Sequence, residues 1–294
     1  MIRFICVLLQ YGEKYGTQTS VSINDGKREI TTNALPDHDT GTFPVEGNPN
    51  TISAQNKTYS FTTTPKYTGA AEWVRQPGVA INGVKFEPGT AERVTCESGE
   101  EYRIEGIQNV YDLGLDMNQA HVQPTGAYHY HGTPKNMINN VKTEGDLIHV
   151  GFAQDGFLIY YSKSQKYKPS YRLTDEPRNG SNCNYTNPHN SMDVIIDGTK
   201  PDGTYNTDRE HVKGLGDLDE CNGIKIDGEY MYIITKGYPY VGRCLNGEFT
   251  PQRRGGPNGR PGGRGSGPGD GRPPPRGKST LLLVAFLSRD LFYC

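Results

Sequence analysis

Apolar and polar positions alternate in short runs from Tyr11 to about Thr250, each lasting about 4–8 residues before Gly, Pro, Asn or Asp interrupts it. No long stretch repeats its apolar positions at the 3.6-residue spacing of an amphipathic helix. The runs predict strands at 20–23, 58–62, 80–81, 84–86, 102–107, 128–131, 148–153, 158–161, 194–196 and 230–234. Asn82-Gly83, between two of these runs, predicts a tight hairpin of type I′, in which both central residues take positive φ. The fold class that follows is all-β, a sandwich or irregular double-sheet architecture with many loops.

The pattern stops at the C-terminal end. Residues 253–278 are mostly Arg, Gly and Pro without an aliphatic side chain, too little apolar surface to offset the entropy of ordering. This divides the chain into an N-terminal segment at 1–19, a folded domain at 20–250, a disordered tail at 251–278 and a short apolar segment at 279–294. Met1 to Leu9 places Arg3 before an apolar run, which reads as a truncated secretory signal or as a first strand. No apolar stretch approaches the ~20 residues of a spanning helix, so no membrane span is expected.

Composition sharpens two points. A net charge of −2 supplies no field that would draw the folded domain onto nucleic acid. With 19 Tyr and 9 Phe, the core is expected to be aromatic more than aliphatic. Six cysteines, at 6, 96, 183, 221, 244 and 294, form no C-x-x-C pair, which suits disulfides better than zinc. Leaving the two terminal ones aside, four cysteines allow three pairings. A Cys221–Cys244 bridge would tie two nearby strands, and buried free thiols are the alternative. Sequons at Asn56, Asn179 and Asn184 fit a secreted or extracellular chain.

Tyr128-His129-Tyr130-His131, preceded by His121-x-x-Pro124-x-Gly126, resembles the motif that names the YHYH-domain family. The resemblance extends to the opening segment from Asn33 through Pro36, His38 and Gly41 to Pro44. It continues through Asp155-Gly156-Phe157, Ser170-Tyr171-Arg172 and Leu218-Asp219-Glu220-Cys221-Asn222-Gly223 to Tyr238-Pro239-Tyr240, and so covers about residues 20 to 247. It implies a secreted or surface protein and no particular chemistry. Two departures stand out, Leu158 where the family often has proline and Met231 where some members have histidine. The frames Gly126-Ala-Tyr-His-Tyr-His and Gly228-Glu-Tyr-Met-Tyr-Ile also suggest an internal pseudo-repeat, two facing lobes or two unrelated strands.

On a strand, His129 and His131 share one face and Tyr128 and Tyr130 the other. Two imidazoles at alternate positions suit a divalent zinc or copper ion, and His121, across a turn at Pro124 to Gly126, joins them if the register allows. Asp155, Asp116 and Glu220 are the carboxylates considered as partners. The bland alternative is a pair of histidines hydrogen-bonded within a tyrosine-rich core. A cupin-like site lacks its following glutamate, because Lys135 and Asn136 occupy that window. Calcium at Asp217, Asp219 and Glu220 is less favoured than an acidic turn. Neither a Gly-x-Ser-x-Gly elbow nor a phosphate-binding loop occurs in the folded region. The expected function is therefore a secreted metal-binding domain, with a metal-dependent enzyme or a polysaccharide- or matrix-binding module as alternatives.

Overall fold

The computed structural model describes residues 8–12, 14–186 and 191–250. Residues 1–7 of the N-terminal segment and both C-terminal segments beyond Thr250 lie outside them. Among the described residues the chain is all-β, with five sheets, no closed barrel, one short α-helix, Lys135–Asn140, which follows Pro134, and a single 3-10 turn at Asn206–Asp208. Its centre is an eight-stranded sheet. From one edge inward run Ala120–Val122, Tyr128–Tyr130, Lys85–Phe86 and Gly78–Ala80; then come Leu147–Ala153, Leu158–Ser162, Glu229–Ile234 and Gly223–Ile226.

The two halves of this sheet match about its centre. Each edge strand pairs antiparallel with its hairpin mate, each mate pairs parallel with the next strand, and that strand forms a hairpin with a central one. The central strands pair antiparallel, Val79 opposite Phe152. Each presents a glycine there to the other's alanine, Gly78 to Ala153 and Gly151 to Ala80. Neither glycine has room for a side chain, since a Cβ on Gly78 would lie 2.3 Å from Phe152 O and one on Gly151 2.6 Å from Val79 O. The local sequences correspond as well: Gly78-Val-Ala-Ile-Asn-Gly-Val against Gly151-Phe-Ala-Gln-Asp-Gly-Phe. The pseudo-repeat is thus one duplicated unit, its copies on opposite flanks of a single sheet.

The two central hairpins share a turn that differs from the predicted type I′. In the first, Gly83 N donates to Ala80 O and Ala80 N to Val84 O, and only Gly83 has positive φ. The second repeats this with Gly156, Ala153 and Phe157. The pattern is a type I turn closed by a glycine bulge. Asn82 keeps ordinary φ because its side chain is engaged: Oδ1 accepts from Val84 N at 3.1 Å, and Nδ2 donates to Tyr130 Oη and Asp37 Oδ1, both at 2.8 Å.

A four-stranded sheet, with Thr17–Asn24, Lys27–Thr32 and Lys57–Thr62 in up-and-down order, packs Val21, Ile30, Tyr59 and Phe61 onto the central sheet. A second core gathers around Gly89–Cys96, Glu101–Glu105 and Cys183–Thr186, where Cys96 faces Cys183 directly and is bridged to it. The Cys221–Cys244 disulfide is also present, tying the end of the second repeat to the strand Cys244–Gly247. The core is mixed: Tyr128, Tyr130 and Phe86 are its largest fully buried side chains, but isoleucines supply much of the rest. The strand expected at 194–196 lies instead at Ser191–Val194, and Ile195 beyond it is exposed.

Candidate metal centre

The strand Tyr128–Tyr130 is pinned by the turn before it. Gln123 N donates to Ala127 O and Gly126 N to Gln123 O, with Gly126 at φ 81°. A Cβ on Gly126 would fall 1.9 Å from Ser53 Oγ, so glycine is required on two counts. This turn places His121 directly opposite His129. The register that sequence alone left open therefore puts three imidazoles on one face.

His121, His129 and His131 are 9%, 2% and 1% exposed, and one nitrogen from each lies within 4.8 Å of the others. Among the described residues no other group of three His, Cys, Asp or Glu converges in this way. Each ring directs Nδ1 at a main-chain carbonyl: His121 to Leu113 O at 2.7 Å, His129 to Ala127 O at 3.3 Å, His131 to Pro88 O at 3.3 Å. A carbonyl only accepts, so each Nδ1 carries the proton and each Nε2 is left with a lone pair. His121 Nε2 and His131 Nε2 face each other at 3.1 Å. Two lone pairs at that distance repel unless a cation lies between them.

A proton is poorly suited to that place. Burial pushes His121 below its ordinary pKa. It pushes His129 and His131 well below theirs, and the neighbouring imidazoles add to the effect. Neutral rings with Nδ1–H held by carbonyls are the state a metal ligand needs. Three nitrogens about 2.0–2.1 Å from a tetrahedral zinc are about 3.3 Å apart, so separations of up to 4.8 Å would have to close by up to about 1.5 Å.

The opposite face of the strand is structural. Tyr128 Oη donates to Asp116 Oδ2 at 2.7 Å. His38 Nδ1 donates to Asp39 O, so its Nε2 accepts from Tyr130 Oη at 2.6 Å. Asp116 also accepts from Gly41 N, Asn118 N and Ala120 N, so it closes the phenol side and does not reach the imidazoles. Asp155 is likewise absent from the histidine site: buried on the other flank, it accepts from Tyr232 Oη and Gly247 N. Glu220 is exposed there, its main-chain carbonyl taken by Tyr171 Oη. Asp219 is occupied by Cys221 N, Gly223 N, Tyr230 Oη and Asn246 Nδ2, and Asp217 by Lys168 N. That acidic run is a hydrogen-bonded turn.

The histidines instead line a cleft of about 980 Å³ whose carboxylates include Glu87, Glu92 and Asp112. Glu87 is buried, paired with Arg75 and Lys85, and accepts from Gln123 Nε2 at 3.0 Å. Burial alone would raise its pKa, but Lys85 and Arg75 outweigh this and hold it below the usual range. Sequence reasoning missed Glu87 because it reaches the cleft through a parallel pairing of Lys85–Phe86 with Tyr128–Tyr130, a contact more than forty residues apart that no local pattern announces.

No curated protein and no solved structure matches the chain. The model of the family described as YHYH protein matches residues 58–247, which leaves the opening segment with His38 outside the match although it packs on the tyrosine face. That match takes in both repeats and all three clustered histidines, and the chain belongs to the YHYH protein family.

Proposed function

We propose that this protein is a secreted metal-binding domain in which Nε2 of His121, His129 and His131 holds one divalent zinc or copper ion. The carrying observation is the set of three Nδ1–H groups committed to carbonyls, which leaves three lone pairs converging in a buried place. Secretion is supported by two disulfides and by sequons exposed at Asn56 and Asn179. Metal analysis of protein purified from metal-replete medium tests the assignment. About one equivalent is expected, falling at least tenfold in His129→Ala and His131→Ala; metal-free protein whose melting temperature ignores added zinc and copper would remove the site.

An enzymatic role has one specific support. Three imidazoles leave a fourth position of a tetrahedral ion open, and here the rings line the cleft. A zinc ion held by His121, His129 and His131 would supply a Lewis acid able to activate water near neutral pH. Turnover of a hydrolysable ester by the loaded protein, lost on chelation and restored by zinc, is the expected sign; a loaded but inert protein leaves a binding role.

A further inference from the structure

The cleft does not stand alone. A second groove of about 340 Å³ is lined by Trp73, Tyr171, Tyr238, Arg243 and Glu105. Arg75, Gly89 and Thr90 line both cavities, so the two meet at these residues. The meeting point is open at Gly89, where a Cβ would find no atom within 4 Å. Trp73 is 72% exposed, although burying an indole is among the most favourable things a folded chain does. Trp73 does not stand alone, since Tyr171 and Tyr238 line the same groove, and an aromatic grouping of this kind at a cavity suits a partner.

The chemistry of the groove selects that partner. Each guanidinium of the groove has a carboxylate partner, Arg243 with Glu105 at 2.6 Å, Arg103 with Glu101 at 3.6 Å and Arg75 with Glu87, and Glu101 also serves Arg93 and Glu87 also serves Lys85. Along both cavities the lining carries Glu46, Glu87, Glu92, Glu105 and Asp112 against Arg75, Arg103 and Arg243, which gives a polyanion no net attraction, while the ion pairs still offer planar donors and acceptors to hydroxyl groups. Aromatic rings supply flat apolar faces for the C–H side of a sugar ring. We propose that the two cavities form one path for a neutral polysaccharide chain, which stacks on Trp73, passes over Gly89 and reaches the histidine cleft. The end at the histidines rests on the metal reading above; the Trp73 end does not.

Trp73 is the single tryptophan of the chain, so its fluorescence reports on the groove directly. Cellohexaose, laminarihexaose and chitohexaose are the probes, titrated into the metal-loaded and the chelated protein. At least one is expected to shift the emission to the blue and shield Trp73 from acrylamide. By calorimetry, Trp73→Ala should weaken that hexasaccharide about tenfold or more. Gly89→Phe enters open space outside the left-handed region, so it should fold normally; it should weaken the hexasaccharide and spare the matching disaccharide. A metal-loaded protein that answers none of the three, or one that prefers heparin or alginate, overturns the neutral-polysaccharide path and leaves the metal centre standing. Undiminished shielding of Trp73 in protein that never takes up metal supports the groove while the metal reading fails.

Discussion

On the first flank of the central sheet Ala120, His121 and Val122 face Tyr130, His129 and Tyr128; on the second, Gly223, Ile224 and Lys225 face Tyr232, Met231 and Tyr230. The tyrosine faces correspond in their aspartate anchors. Asp116 takes Tyr128 Oη and the amides of Asn118 and Ala120; Asp219 takes Tyr230 Oη and the amides of Cys221 and Gly223. Asn82 and Asp155 occupy matching places with the bond reversed, since Asn82 Nδ2 donates to Tyr130 Oη whereas Tyr232 Oη donates to Asp155. Even the left-handed residues match, Gln119 with Asn222. On the other face, His121, His129 and His131 stand where the second copy has Ile224, Met231 and Ile233. The duplicated backbone therefore forms with apolar residues at all three positions. The tyrosines and their aspartates thus recur on both flanks, whereas the three imidazoles occur on the first alone.

The largest expected effect comes from moving the second flank's residues onto the first. A chain carrying His121→Ile, His129→Met and His131→Ile should lose bound metal to background yet remain folded. Leu113 O and Pro88 O each lose a donor, at about 1–3 kcal/mol apiece, but removing the facing lone pairs and adding apolar area offsets much of that. Metal content by mass spectrometry and melting by circular dichroism check both halves. A swapped chain that cannot fold would make the histidines structural and end the contrast between the flanks.

A smaller effect tests the likeness of the tyrosine faces. Asp116→Ala strands the Tyr128 hydroxyl and the amides of Gly41, Asn118 and Ala120, and Asp219→Ala strands the Tyr230 hydroxyl, the amides of Cys221 and Gly223 and the side-chain amide of Asn246. Each should cost about 2–4 kcal/mol in urea unfolding, and the two costs should agree within about 1 kcal/mol. Metal content should follow neither substitution in protein that remains folded. A large loss from one aspartate and none from the other would show that the two copies no longer share a scaffold.

How much of this was legible before the structure depended on the range of each interaction. Period-two alternation placed His129 with His131 and the tyrosines behind them, because side-chain direction on a strand is local. The Cys221–Cys244 pairing was among the readings for the same reason. Register was harder: His121 joins only because Gly126 bulges the turn, and a shift of one residue would have turned the ring away. The carboxylates were misjudged because Asp116 and Asp155 look like free acids in sequence while each is consumed by a tyrosine across the sheet. The duplication itself was half visible. The Gly-x-Tyr-x-Tyr frames were noticed, but Gly78-Val-Ala-Ile-Asn-Gly and Gly151-Phe-Ala-Gln-Asp-Gly carry an equal signal that is plain only once the strands are seen side by side.

The smallest effect concerns acid. In metal-free protein the three clustered rings are held neutral by burial, so their folded pKa values lie below the unfolded value near 6.5. The unfolded chain then binds protons that the folded chain refuses, and stability falls as pH drops. The contribution is complete above about pH 6.5 and drains below it, by at most about 1.4 kcal/mol per pH unit for each ring. His149, on the strand Leu147–Ala153, behaves alike, burial lowering it to about 4, and it is present in both chains. Between pH 6.5 and 4.5 the metal-free parent should therefore lose stability more steeply than the swapped chain, which keeps the contribution of His149. Urea midpoints at several pH values in chelator give both slopes. Equal slopes would mean that the clustered histidines accept protons in the folded state, in which case the facing nitrogens of His121 and His131 share a proton and need no metal.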